Sequence, residues 1–256
     1  MHLLLFSNST MANTKYLSWA KPLINEFMNS FKHQGQPEIL FVPFAAITLT
    51  YEKYLESVRE ALPEYKINSI HTEKNMIEAV KNAKTIMIGG GNTFHLLAKL
   101  YEHNLVDIIR ERVKVDLPYI GWSAGSNICG PDIGSTNDMP VIFPPTDKAL
   151  NLVPYNLNPH YNEWCPPNFR GETRMDRLNE CAIIKKRPIV AFSEGLAIRV
   201  DGIKHSILAP KMPDDFLKFQ KDERVVKVWN HQNDSTEVKT LDFEGDLMVE
   251  FNKIMS

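Results

Sequence analysis

From His2 to Trp122, short apolar runs alternate with stretches whose apolar residues recur every three or four positions. Compact runs at His2–Phe6, Glu38–Val42, Lys84–Ile88 and Pro118–Trp122, with a weaker one near Lys66–Ile70, read as strands. Between them, Tyr16, Trp19, Ala20, Leu23, Ile24, Phe27, Met28 and Phe31 mark one face of a helix. Pro22 either kinks that helix or marks a later start. Further helical patterns cover Tyr51–Leu62, Glu73–Lys81, Asn92–Leu100 and Val106–Val115. Strands separated by helices of this length need right-handed crossovers, which implies a mainly parallel sheet in a three-layer α/β/α fold.

The pattern breaks between Gly130 and Arg170, where eight prolines occur and periodicity fades. A long irregular segment inside a compact domain reads as a functional loop region. Regularity returns with a helix at Arg174–Ile184 and a strand at Pro188–Phe192. Leu196–Val200 and His205–Leu208 flank Asp201-Gly202, a hairpin signal. The end of the chain is polar from Glu237, with a helical pattern near Leu247–Ile254. No repeat or linker divides the chain, so the expectation is one catalytic α/β domain over residues 1–235 and a tail, 236–256, packed on it.

Composition removes several function classes. A net charge of −2 over 256 residues gives no field that would draw the chain to nucleic acid or an anionic membrane. Cys129, Cys165 and Cys181 are odd in number and form no CxxC, against both a disulfide framework and a structural zinc site. A reducing cytoplasm is the expected compartment. The first residues lack the basic segment and apolar length of a signal peptide, and no run reaches the roughly 20 apolar residues of a membrane helix.

Chemistry enters at Gly121-Trp122-Ser123-Ala124-Gly125, a G-x-S-x-G run between a strand and the start of a helix. Such an elbow lifts the serine Oγ off the sheet edge, and the next N–H, here Ala124, points to where an oxyanion would form. Gly89-Gly90-Gly91-Asn92-Thr93 occupies the same kind of junction after another strand. It lacks the Lys-Ser/Thr of a P-loop and the spacing of G-x-G-x-x-G, which argues against a nucleotide site. Gly90 or Gly91 is the better candidate for a second oxyanion donor; the plainer alternative is a tight turn capped by Asn92.

A serine nucleophile needs a base, and the base needs an orienting carboxylate. His2, His33, His71 and His103 lie where solvated histidines are the default, and His95 reads as packing. His160, in Asn158-Pro159-His160-Tyr161, sits in the proline-rich region with its backbone fixed by the preceding proline.

GGGNTF, IGWSAGSN, STNDMP, NPHY and RGETR occur in this order and, with LLLFSNST at 3–10 and FVPFA at 41–45, the chain resembles the S51 serine peptidases of the peptidase E type. The resemblance runs from residue 1 to about 210. It implies a fold related to the class I glutamine amidotransferases, a nucleophile at Ser123, a base at His160, and no metal or organic cofactor. The implied substrates are dipeptides with a free N-terminal α-aspartyl residue, cleaved after it. Asp138 and Glu194 both match family acids, and a rigid strand-end Glu194 is the better orienter. Asp138 would then hold its loop or bind the substrate ammonium. Arg174 matches the position implicated in recognising the aspartyl carboxylate, with Arg170 and Arg177 as alternatives, and Asn92 is a further substrate-binding candidate.

Three other readings stay open at this level. A cyanophycinase-like hydrolase of β-aspartyl linkages would use the same constellation. A serine esterase on the α/β-hydrolase fold usually runs Ser, acid, His, an order that Asp138 allows and Glu194 does not. A non-catalytic binding module is opposed by the intact Ser123–His160 pair. An exposed edge strand or the tail would serve a homodimer.

Overall fold

The computed structural model describes residues 1–32, 35–210, 224–243 and 246–255; His33 lies outside them. Strands β1 (His2–Phe6), β2 (Glu38–Val42), β3 (Lys66–Ser69), β4 (Ile86–Ile88) and β5 (Tyr119–Trp122) pair in parallel in the order β3-β2-β4-β5-β1. Alternate residues of each strand enter opposite cores. Leu3, Leu5, Val42 and Ile88 share one, while Leu4, Phe6, Phe41 and Met87 share the other. Helices α1 (Lys21–Asn29) and α2 (Tyr51–Ala61) cover the second face through Ile24, Phe27, Leu55 and Val58. Helices α3 (Met76–Asn82), α4 (Thr93–Glu102) and α5 (Val106–Val115) cover the first through Val80, Leu96, Leu97, Ile109 and Val113. Covering on both faces is why these strands read as unbroken apolar runs.

Pro22 marks a later start of α1. It stands in the first helical turn, where a missing N–H removes no helical bond. Leu17, Trp19 and Ala20 are buried in the turns that lead into the helix.

A second sheet stands outside the sequence expectation. Strand β6 (Asn156–Asn158) pairs in parallel with β7 (Ile189–Phe192). The hairpin β8 (Ala197–Asp201) and β9 (Lys204–Leu208) joins the first sheet antiparallel to β1. The hairpin β10 (Val226–Gln232) and β11 (Ser235–Leu241) completes the second, in the order β11-β10-β7-β6. Its two-residue turn, Asn233-Asp234, has positive φ at both positions, the geometry that suits the twist of a hairpin. Leu157, Val190, Phe192, Val226 and Val228 join the first core, and α7 (Arg174–Lys185) packs Leu178 and Ala182 on the other side against Ile189, Ala191 and Trp229.

The chain continues past residue 241 into a helix, Leu247–Met255, whose Leu247 and Phe251 are buried in the first core. A polar contact ties this end down: the His205 N–H donates to Asp246 Oδ1 at 3.1 Å. The His205 ring is buried, with Nδ1 2.7 Å from the Tyr155 hydroxyl, and burial pulls its pKa from 6.5 to about 4. The unfolded chain therefore binds a proton between about pH 6.5 and 4 that the folded protein refuses. That contribution is fully present above pH 6.5 and is lost as the pH falls towards 4, a change of about 3 kcal/mol. Thermal unfolding across this range should show the loss, and His205→Gln should flatten it. An unchanged slope in the variant would remove His205 as the cause. Among the described residues, no helix is long and apolar enough to cross a membrane.

Candidate active site

Ser123 alone makes the turn between β5 and α6 (Ala124–Asn127), at φ 53° and ψ −115°. A non-glycine residue holds such angles only when its surroundings impose them. They do so here through several contacts. The Ser123 N–H and the Ser126 hydroxyl both donate to the Phe6 carbonyl, at 3.1 and 2.7 Å. Gly125 passes so close to β4 that a Cβ would lie 2.1 Å from the Ile88 carbonyl oxygen. The glycines of the motif are thus explained by close packing behind the serine.

His160 and Glu194 arrive from the second sheet. Asn158 of β6 stands opposite Ala191 of β7, so the residues just past these two parallel strand ends emerge side by side. His160 has φ 57°; its N–H donates to Ser7 Oγ at 2.7 Å, and Ser7 in turn donates to the Phe192 carbonyl at 3.0 Å. Beyond β7, the Gly195 N–H donates to Asn8 Oδ1 at 3.0 Å. The ring of His160 spans the gap: Nδ1 is 2.7 Å from Glu194 Oε1, and Nε2 is 2.8 Å from Ser123 Oγ. A carboxylate can only accept, so the imidazole proton belongs on Nδ1 and the Nε2 lone pair faces the serine hydroxyl.

Asp138 stands elsewhere. Its Oδ2 accepts the Thr93 N–H at 2.6 Å, at the N-terminus of α4, where the helix dipole favours a negative charge. Asn92 caps the same helix: its Oδ1 accepts the His95 N–H, and its Nδ2 donates to the Met139 carbonyl at 2.9 Å. Its amide is therefore engaged in holding the Asp138 loop against α4. His95 bonds the Phe44 carbonyl through Nδ1 at 2.7 Å, consistent with packing.

Two cavities flank the Ser123–His160 pair. One is lined by Asn8, Ser9, Thr10, Tyr54, Gly90, Gly91 and Trp122. The other is lined by Thr93, Ala124, Asn127, Thr136, Asn137, Asp138, Pro159 and Arg174. A Cβ on Gly90 would lie 2.9 Å from Ser123 Cβ, so the glycine turn runs directly beside the serine. Among the described residues, the N–H groups of Gly90, Gly91 and Ala124 donate to no protein acceptor.

Arg174 opens α7 behind a capping box formed by Thr173 and Asp176. It is half-buried, and desolvation lowers its pKa from the ordinary guanidinium value. One nitrogen, Nη1, donates to the His160 carbonyl. Among the described residues, no carboxylate forms an ion pair with it, which leaves donors for a ligand in the cavity. Arg170 and Arg177 are exposed and line neither cavity. Ser7 and Asn8 brace His160 and the turn after Glu194, a role that depends on the neighbourhood of β1 and β7 and leaves no local signal in the sequence.

On this α/β fold, Ser123, His160 and Glu194 form one hydrogen-bond chain between two cavities. Peptidase family S51 matches residues 3–208, and the chain belongs to that family. It is 44% identical over 208 residues to Peptidase E of Shewanella baltica (strain OS185), covering 80% of this chain and 86% of that protein. Against Peptidase E of Shewanella amazonensis (strain ATCC BAA-1098 / SB2B) the identity is 43% over 211 residues, covering 81% and 88%. The fold is shared with a peptidase from an acI-B1 Actinobacterium, with a TM-score of 0.60 at 16% identity, covering 94% of this chain and 96% of that one. The chain is thus an S51 peptidase with an α/β fold, as its separated motifs imply.

Proposed function

We propose that this peptidase hydrolyses dipeptides with a free N-terminal α-aspartyl residue. The observation that carries the reading is the cavity beside Ser123, which holds one cation, Arg174, and one anion, Asp138. An N-terminal aspartyl residue presents one charge of each sign. Its side-chain carboxylate pairs with the planar guanidinium of Arg174, and its α-ammonium with Asp138. The scissile carbonyl then lies at Ser123, and the leaving residue occupies the cavity lined by Thr10 and Tyr54.

Ser123 Oγ attacks the carbonyl carbon while His160 Nε2 takes its proton, and Glu194 stabilises the resulting imidazolium. The Ala124 N–H and a glycine N–H from Gly90 or Gly91 face the developing oxyanion, each worth ~3 kcal/mol. His160 returns the proton to the leaving amine, and water then attacks the acyl-enzyme by the same route. Asn92 acts by holding the Asp138 loop. This chemistry needs no metal, and one α/β unit carries it, with the hairpin β10–β11 built into its second sheet and the helix Leu247–Met255 packed on its first core. Three unpaired thiols suit work in the cytoplasm.

The test is release of leucine from Asp-Leu, Ala-Leu, N-acetyl-Asp-Leu and β-Asp-Leu by the purified protein. Release from Asp-Leu alone is the expected result. Equal release from the acetylated peptide would remove the ammonium site, and preference for β-Asp-Leu would move the assignment to β-aspartyl hydrolysis. Failure on all four would sink the dipeptidase reading.

A further inference from the structure

Tyr54 is buried at the C-terminal end of the sheet, in the lining of the cavity it shares with Gly90 and Ser123, and its hydroxyl bridges the two turns that flank the nucleophile. It accepts from Trp122 Nε1 at 3.1 Å and donates to the Gly90 carbonyl at 2.9 Å. Trp122 directly precedes Ser123, and Gly90 runs beside it. Gly89 makes the bridge sterically feasible, because a Cβ there would lie 2.4 Å from the Tyr54 hydroxyl oxygen. The phenol ring is held edge-on against Phe41, with centroids 5.0 Å apart.

A trans peptide unit is planar, and its C=O and N–H point in opposite directions. Fixing the Gly90 carbonyl on Tyr54 therefore fixes the Gly91 N–H on the opposite side of the same plane. That N–H donates to no acceptor among the described residues. Nor can the Gly91 backbone be set by an ordinary residue. Its φ is +141°, and a Cβ would lie 2.2 Å from the Ala45 carbonyl oxygen. We infer that Tyr54 is a positioning residue that orients the Gly90–Gly91 peptide, making the Gly91 N–H the second oxyanion donor opposite Ala124. The inference deepens the reaction proposed above and rests on its acyl-transfer chemistry. Burial raises the phenol pKa to about 12, so Tyr54 keeps the proton it donates throughout the working pH range. The tyrosine touches no reacting atom in this account. It lowers the barrier by preventing the peptide from turning away as charge develops.

Tyr54→Phe keeps the ring and removes only the hydroxyl. On Asp-Leu, kcat is expected to fall about 10- to 100-fold with KM changed less than threefold, since the donor acts on the oxyanion rather than on the bound substrate. Labelling of Ser123 by an aryl fluorophosphonate, which also passes through an oxyanion and needs no aspartyl group, should slow by a similar factor. A folded variant that keeps kcat and labelling within twofold of wild type overturns the inference, as does a loss confined to KM. If wild type fails to cleave Asp-Leu, the dipeptidase reading fails and the labelling rate alone decides the role of Tyr54. Should Tyr54→Phe not fold, amide spectra of the wild type with a peptide boronate decide instead. Downfield shifts at Gly91 and Ala124 support the assignment, and a shift at Gly90 without one at Gly91 overturns it.

Discussion

Ser123→Ala is expected to reduce kcat on Asp-Leu by about 10⁶-fold, and Glu194→Gln by about 10³- to 10⁴-fold. The second figure separates two candidate acids. Glu194 Oε1 meets His160 Nδ1 at 2.7 Å, whereas Asp138 is bonded to the Thr93 N–H. With an amide at position 194, the NH₂ group can turn towards Nδ1 and favour the tautomer with the proton on Nε2. That tautomer cannot accept from Ser123, so the nucleophile loses its base without any change of shape. Asp138→Asn removes a charge from the substrate cavity and from the α4 N-terminus but leaves the His160 ring as it was. It should raise KM and leave kcat within about tenfold. Steady-state kinetics of the three variants check the scheme. A fall in kcat of about 10³-fold or more for Asp138→Asn, with Glu194→Gln keeping kcat within about tenfold of wild type, would exchange their roles.

The ease of reading Ser123 and the difficulty of ranking the acids have one physical origin. The elbow is local: a strand, a serine at positive φ and a close-packed glycine occupy seven consecutive residues, from Tyr119 to Gly125. The parallel strands β1 and β2 and helix α5 were legible for the same reason, because burial on one or both faces leaves its period in the chain itself. β6 left no such trace. It is three residues long, two of them asparagines, and it lies between Pro154 and Pro159. Its existence depends on β7, more than thirty residues later, and with it depends the meeting of His160 and Glu194. Ser7 and Asn8 are a further case. Nothing in a polar turn after β1 announces that its hydroxyl will hold the backbone of His160 or its amide the turn at Gly195. Separated motifs matched to a family carried this non-local information where periodicity could not.

Arg174→Leu should lower kcat/KM for Asp-Leu by about 10²- to 10³-fold, the cost of leaving a partly buried carboxylate without its charged partner. Arg174 also donates to the His160 carbonyl, so the substitution has a second effect. Loss of that bond would loosen the base and slow every substrate alike. Recognition, in contrast, concerns only substrates that bring a carboxylate into the cavity. Comparing Asp-Leu turnover with fluorophosphonate labelling of Ser123 separates the two effects. The labelling rate measures what His160 has lost, and the excess fall on Asp-Leu measures recognition. Arg174→Lys should recover little of that excess, because a single ammonium cannot serve the His160 carbonyl and a bidentate carboxylate together. If Asp-Leu turnover and labelling fall by the same factor, Arg174 only steadies His160, and the aspartyl side chain must be recognised by another group.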